Sequence, residues 1–274
     1  MRALFESRNL IGDALYIQPA LKRWVAEHPG WDIDLLTLND HITCLYKGMG
    51  VPVNIIFERM PDVHYDFEHR FDVSAAFALG DKEKLHIAQA YIKLLGQAVP
   101  EQPPRVEYTP PDGQREEDKI LLSIFSNSCA SREGKPPNKM LSWAIWLSVL
   151  ALVRQMGEVL VLGGPKDRDT APLPILDQEY YTDRPLPEVA RTLRAARLLI
   201  TIDNGIGHLA ATQGTPTILF YPKCLGKHWI IPSGNQRLIV YHVDPMYFEP
   251  KMGEDAVREG IKSLLGENRN ENTA

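Results

Sequence analysis

Cysteine is scarce in this chain: Cys44, Cys129 and Cys224 are the three there are, and they lie far apart. An odd, sparse set does not build a disulfide framework. With no C-x-x-C spacing and no histidine cluster, it offers no zinc site either. Basic charge is short as well. The net charge is −5, and no strongly basic run offsets it, so a nucleic-acid partner is not suggested. Long apolar runs are missing. None approaches the roughly 20 residues that span a bilayer. The N-terminal MRALFESRNLIGDAL has neither the basic head nor the apolar stretch of a signal peptide. These absences lead to the expectation of a cytoplasmic protein with no transmembrane segment. A peripheral dock at the inner membrane face stays open to it, because one face can dock without a span.

What the chain does have is apolar content, 44% of 274 residues, enough for two buried cores. Its order is that of an α/β protein. RALFE reads as a strand and NLIGD as a loop. Leu15, Ala20, Leu21, Trp24 and Val25 then recur near helical spacing from Ala14 to about His28. Ile33–Leu38 reads as the next strand, which gives the start of a parallel β-α-β unit. Further strands are expected at Val53–Phe57 and Asp72–Phe77, with a helix near 82–96. A proline-rich, aperiodic stretch over 101–118 separates this first domain, 1–100, from a second over 119–265. In the second, strands are expected at Ile120–Phe125, Val159–Leu162, Leu198–Ile202 and Pro216–Tyr221. Helices are expected at Leu141–Met156, 186–196 and 206–213. The polar end, 266–274, reads as a disordered tail. Two α/β domains so joined predict a ligand cleft between them.

Within ARLLITIDNGIGHLAATQGTPTILFYP the run from Gly205 to Ala210 spells G-x-G-x-x-A after an apolar strand. A nicotinamide-binding turn would need a long helix after it and an acidic residue about 20 positions on. Gly214-Thr215-Pro216 stops the helix early, and no acidic residue lies between Asp203 and Asp244. An NAD-dependent oxidoreductase is therefore the weaker alternative. What survives is the physics of the bend. Asn204-Gly205 at a helix N-terminus presents free backbone amides and partial positive charge, which suit a pyrophosphate.

The same segment resembles the donor-binding segment of the heptosyltransferase family of glycosyltransferases. The family pattern D-x-G-x-x-H-[LIV]-A followed by G-[TR]-P is met by Asp203, Gly205, His208, Leu209 and Ala210, then Gly214-Thr215-Pro216. Gly12-Asp13-Ala14-Leu15 with Pro19-Ala20-Leu21 is similar to that family's first loop. Ser131-Arg132-Glu133-Gly134-Lys135-Pro136-Pro137 stands where members carry a basic loop, often R-x-x-K-x-W-P, although the tryptophan is absent here. The chain is also shorter than usual members.

The resemblance implies a GT-B fold, two Rossmann-like domains with parallel sheets facing a cleft. It implies an inverting, metal-independent transfer from a nucleotide-diphosphate sugar, ADP-heptose being the family's guess, with no cofactor beyond that donor. A glycan or lipopolysaccharide-type acceptor is implied as well. Asp13 would be the general base; an N-cap of the first helix is the competing reading. Lys135 and Arg132 would neutralise the leaving diphosphate, with Lys139 as a substitute and Ser126 and Ser131 as hydroxyl donors; a solvated basic loop is the plain reading. Asn204 and Gly205 would offer amides to phosphate, or form an ordinary turn. Asp203, His208 and Gly12 would hold the donor sugar or support the loops, with Asp203 as a helix cap and His208 as a structural histidine in competition. Gly164 would border the nucleoside or belong to a plain loop, and the Trp229 loop would close on substrate. A non-catalytic nucleotide-sugar-binding protein of the same fold is the second alternative.

Overall fold

The computed structural model describes residues 1–7, 10–125, 141–164, 173–222, 236–241 and 250–265. The chain divides into two compact units, the first formed chiefly by residues 1–111 and the second starting at residue 112.

In the first unit, strands β1 (Arg2–Ser7), β2 (Asp32–Thr37), β3 (Asn54–Ile56) and β4 (Phe67–Arg70) form a parallel sheet in the order β3-β2-β1-β4. β1 and β2 are buried nearly end to end, as strands of a parallel sheet covered on both faces must be. Helix α1 (Ile11–Glu27) returns the chain from β1 to β2 and sinks Leu15, Ile17, Leu21 and Trp24 into the core. It begins at Ile11, ahead of the expected Ala14. A short helix α2 (Thr43–Lys47) follows β2. Val106 and Tyr108, in the proline-rich stretch, are both buried.

The expected strand over 72–77 is a helix, α3 (Val73–Glu83). Asp72 decides the matter. Its Oδ1 accepts the amides of Ser74 at 2.8 Å and Ala75 at 3.1 Å, an N-cap that starts a helix where the apolar run alone suggested a strand. The strand is instead the preceding FEHR, whose alternation of half-buried and exposed residues suits a sheet edge. The single helix expected near 82–96 is also divided. Lys84 ends α3 in the left-handed region at φ 58°, and α4 (Ile87–Leu94) starts afresh. His86 and Gln89 cap α4 reciprocally, through His86 Nδ1 to the Ala88 amide and Gln89 Oε1 to the His86 amide.

The second unit is a six-stranded parallel sheet in the order β10-β9-β8-β5-β6-β7. Its strands are β5 (Ile120–Ser123), β6 (Val159–Gly163), β7 (Tyr180–Thr182), β8 (Leu198–Ile202), β9 (Thr217–Pro222) and β10 (Gln236–Tyr241). Helices α5 (Trp143–Arg154), α6 (Leu186–Ala195), α7 (Gly205–Gln213) and α8 (Pro250–Leu265) accompany it. Trp146 is fully buried and meets Phe220 edge-on at 6.0 Å, in a core shared by α5, α8 and the central strands. Sequence reading missed β7, β10 and α8. Glu179 anchors the region before β7. Arg154 reaches both of its carboxylate oxygens, at 2.8 and 2.5 Å, and holds its ionisation below the usual carboxylate range. The strand order reverses between β5 and β8, which makes that pair the switch point of the sheet.

Candidate functional site

In the first unit the candidate residues gather at the C-terminal end of β1. Gly12 and Asp13 occupy the first turn of α1, Gly12 buried and Asp13 partly exposed. Asp13 is not the N-cap: Leu10 holds that position, and Asp13 Oδ2 accepts the Leu10 amide at 3.4 Å. A carboxylate in the first turn is favoured by the helix dipole, which stabilises its ionised form. Two phenols with raised pKa lie within electrostatic reach of it. Tyr46 on α2 is raised by burial and bonds Ser7 Oγ at 2.7 Å; Tyr91 on α4 is raised chiefly by burial and next by Asp13.

In the second unit the Asn204 bend follows β8, a strand buried along its whole length. Asn204 itself is the N-cap of α7, so the alternative that Asp203 caps this helix is set aside. Its Oδ1 accepts the Gly207 amide at 2.8 Å, while its Nδ2 donates to Ser123 Oγ at 3.0 Å and to the Phe125 carbonyl at 2.9 Å. One side chain thus caps a helix and fastens it to the end of β5. Thr201 adds a second tie, donating to the Ser123 carbonyl at 3.0 Å.

The bend is held in shape from below while its outer edge stays open: Asn204 is buried, but Gly205 and Ile206 are only half-buried. These are the first two residues of α7, whose amides have no carbonyl partner inside the helix. Gly207 is a glycine for a packing reason, since a Cβ there would stand 3.3 Å from Thr201 Cγ2. Asp203 points inward and pairs with His208, Oδ1 to Nε2 at 3.2 Å, with side-chain exposures of only 4% and 12%. Their pairing braces the bend across the first turn of α7. The helix is nine residues long and stops at Gly214, whose φ of 70° suits glycine.

Gly164 follows β6 and is half-buried. Ser131, Arg132 and Lys135, with Ser126, Lys139 and Trp229, lie outside the described residues. Ser123 was missed in the sequence, although a serine closing an otherwise apolar parallel strand is itself a signal of a polar strand end. Tyr46 and Tyr91 gave no local signal. Among the described residues no group of three His, Cys, Asp or Glu side chains is placed to hold a metal ion. None of their helices is long and apolar enough to cross a membrane.

Comparison with known proteins bears on the family and the fold. The family model of glycosyltransferase family 9 (heptosyltransferase) matches residues 78–244, well over half of the chain. No curated protein matches it in sequence. Among solved structures, a family 9 glycosyl transferase from Veillonella parvula superposes with a TM-score of 0.70 at 13% identity, over 97% of each chain. The E. coli ADP-heptose LPS heptosyltransferase II does so at 0.63 and 14%, over 97% of this chain and 99% of that one. The iron-containing dodecameric glycosyltransferase TibC of enterotoxigenic E. coli reaches 0.68 at 15%, over 97% of this chain and 76% of its own. At such identities the likeness is one of fold, and the fold is the GT-B arrangement of these glycosyltransferases.

Proposed function

The chain belongs to glycosyltransferase family 9, the heptosyltransferases, and on that premise we propose that it moves a heptose-like sugar from a nucleotide-diphosphate donor to an acceptor hydroxyl, inverting the anomeric carbon without a metal. The donor chemistry follows the ADP-heptose named for the E. coli structure, and the acceptor class is the lipopolysaccharide-type glycan that the same name implies. In this reaction the acceptor oxygen attacks the anomeric carbon as the bond to the diphosphate breaks. Asp13 takes the proton that the acceptor gives up, and the nucleoside diphosphate leaves with the bonding pair.

A leaving diphosphate develops charge that preorganised donors stabilise best. The open amides at Gly205 and Ile206, fixed by the Asn204 cap, suit that task, and Arg132, Lys135 and Ser131 would add cations and a hydroxyl. Asp203 and His208 keep the bend rigid, Gly12 supports the loop at the start of α1, and Gly164 borders the nucleoside. The observation that carries this reading is the Asn204 bend. It has the dipole and free amides of a phosphate site, at the switch point where open parallel sheets bind ligands.

The test is a transfer assay with ADP-heptose, run with chelator present throughout. Asp13→Ala should lower turnover by about 10²-fold or more while ADP binding stays within a factor of about three. Equal loss of both would leave Asp13 a structural residue of α1. Transfer that stops under chelator and returns with added metal would overturn the metal-free reaction.

A further inference from the structure

Four neighbouring strands of the second sheet share one register row. Ile200 on β8 stands beside Leu122 on β5, Leu122 beside Val161 on β6, and Val161 beside Tyr180 on β7. Asn204 lies four positions past that row at one end, and Arg184 lies four positions past it at the other. The Asn204 bend and Arg184 therefore share the C-terminal rim of the sheet, three strand spacings apart, or roughly 14 Å. An extended nucleoside diphosphate is about that long from its phosphates to the far edge of its base. Gly164 follows β6 on the same rim and puts no side chain in that path.

Arg184 is seated just past the end of β7. Its guanidinium carbon stands 5.1 Å from the centroid of the Tyr181 ring, and Nη1 lies 3.6 Å from Glu188 Oε1 in the first turn of α6. Tyr181 is itself fixed. Its hydroxyl donates to the same Glu188 oxygen at 2.7 Å and lies 3.2 Å from Thr192 Oγ1. Burial first of all pushes the Tyr181 pKa up to about 12, so the phenol stays a neutral donor. The Arg184 side chain nevertheless remains 50% exposed. An ion pair this open adds little stability. What the cluster provides is a planar cation resting against a buried ring, with surface left over for a ligand.

We propose that Arg184 is the plate on which the donor's nucleobase stacks, with purines favoured because their faces are larger. The assignment rests on the Asn204 bend holding the diphosphate. Guanidinium planes are a common surface for bases to stack on, and the contact accepts any base while favouring the stronger stackers. It gives the base a side chain of its own, where Gly164 offers the nucleoside only room.

The experiment measures by calorimetry the binding of ADP, UDP and inorganic pyrophosphate to the unaltered protein, to Arg184→Ala and to Arg184→Lys. The unaltered protein should bind ADP about fivefold or more tighter than UDP. Arg184→Ala should weaken ADP by about fivefold or more, narrow the gap between ADP and UDP, and leave pyrophosphate unchanged. Arg184→Lys should not restore ADP, because an ammonium keeps the charge and loses the plane. A lysine variant that binds ADP as the unaltered protein does, or a loss shared equally by ADP and pyrophosphate, would reduce Arg184 to a positive charge near phosphate and overturns the proposal. An alanine variant with unchanged ADP affinity overturns it too. Should the variants fail to fold, the Arg184 Nε–Hε resonance of the unaltered protein is read instead. It should shift with ADP and hold still with pyrophosphate, and an equal shift with both overturns the proposal. If neither nucleotide binds the unaltered protein, the nucleotide-sugar reading fails and takes this assignment with it, whereas ADP binding that ignores Arg184 fails the assignment alone.

Discussion

Asn204 shows how much one side chain can carry. It accepts from Gly207 and donates to Ser123 and Phe125, so truncation removes a helix cap and a tie between two strand ends together. Asn204→Ala should cost about 2–3 kcal/mol, the sum of a lost cap and a buried group left unpaired. Thermal denaturation should register this as a fall of several degrees. Affinity for ADP should drop with it, because Gly205 and Ile206 lose the constraint that aims their amides. Unchanged affinity would mean the bend needs no bracing. In the sequence, position 204 was legible as part of a glycine turn, but its capping role was not, and Asp203 competed for it. The strand-end partners of Asn204, Ser123 and Phe125, lie about 80 residues away in the chain, and such ties leave no local pattern. The same holds for Tyr91, whose ring neighbour Phe71 is brought to it only by folding.

Helices and strands were legible where one period dominated. Leu198–Ile202 was read with the bounds the structure gives, because a continuous apolar run between an amphipathic helix and a glycine turn has few other readings. Residues 72–77 misled because Val, Ala and Phe in a short run suit either element, and the deciding contact is a cap on the residue before it. α8 was overlooked although Val257 and Ile261 stand at helical spacing, and its fit to the sheet is close. Gly260 faces β9, and a Cβ there would come within 2.7 Å of Ile218 Cδ1. Gly260→Ala should therefore destabilise by about 1–2 kcal/mol, measurable in a urea titration, despite the better helix propensity of alanine. A second change, Ile218→Val in the same chain, should recover part of the loss by shortening the side chain that collides. A stabilising Gly260→Ala would show that α8 shifts freely on the sheet.

For the whole molecule, the alternation of strands and helices announced parallel sheets, and motifs in both halves, taken together, pointed to the GT-B fold that the comparisons bear out. What the chain could not reveal by itself was sheet order, because which strand lies beside which depends on crossovers rather than on local pattern. The expected function has a global readout in apparent stability. A nucleotide held at 100 times its dissociation constant raises it by about 2.7 kcal/mol. ADP should therefore lift the melting temperature by several degrees where NAD at equal concentration does not, and the reverse order would restore the oxidoreductase reading. The reversal of strand order between β5 and β8 has a further consequence for protein engineering. Phe125, just past the end of β5, has its carbonyl tethered to Asn204. The end of β5 is therefore clamped independently of whatever sequence comes after it. Libraries that vary 126–140 should change which donors are accepted while the scaffold keeps its melting point, a separation of selectivity from robustness that the β5–β8 junction makes available.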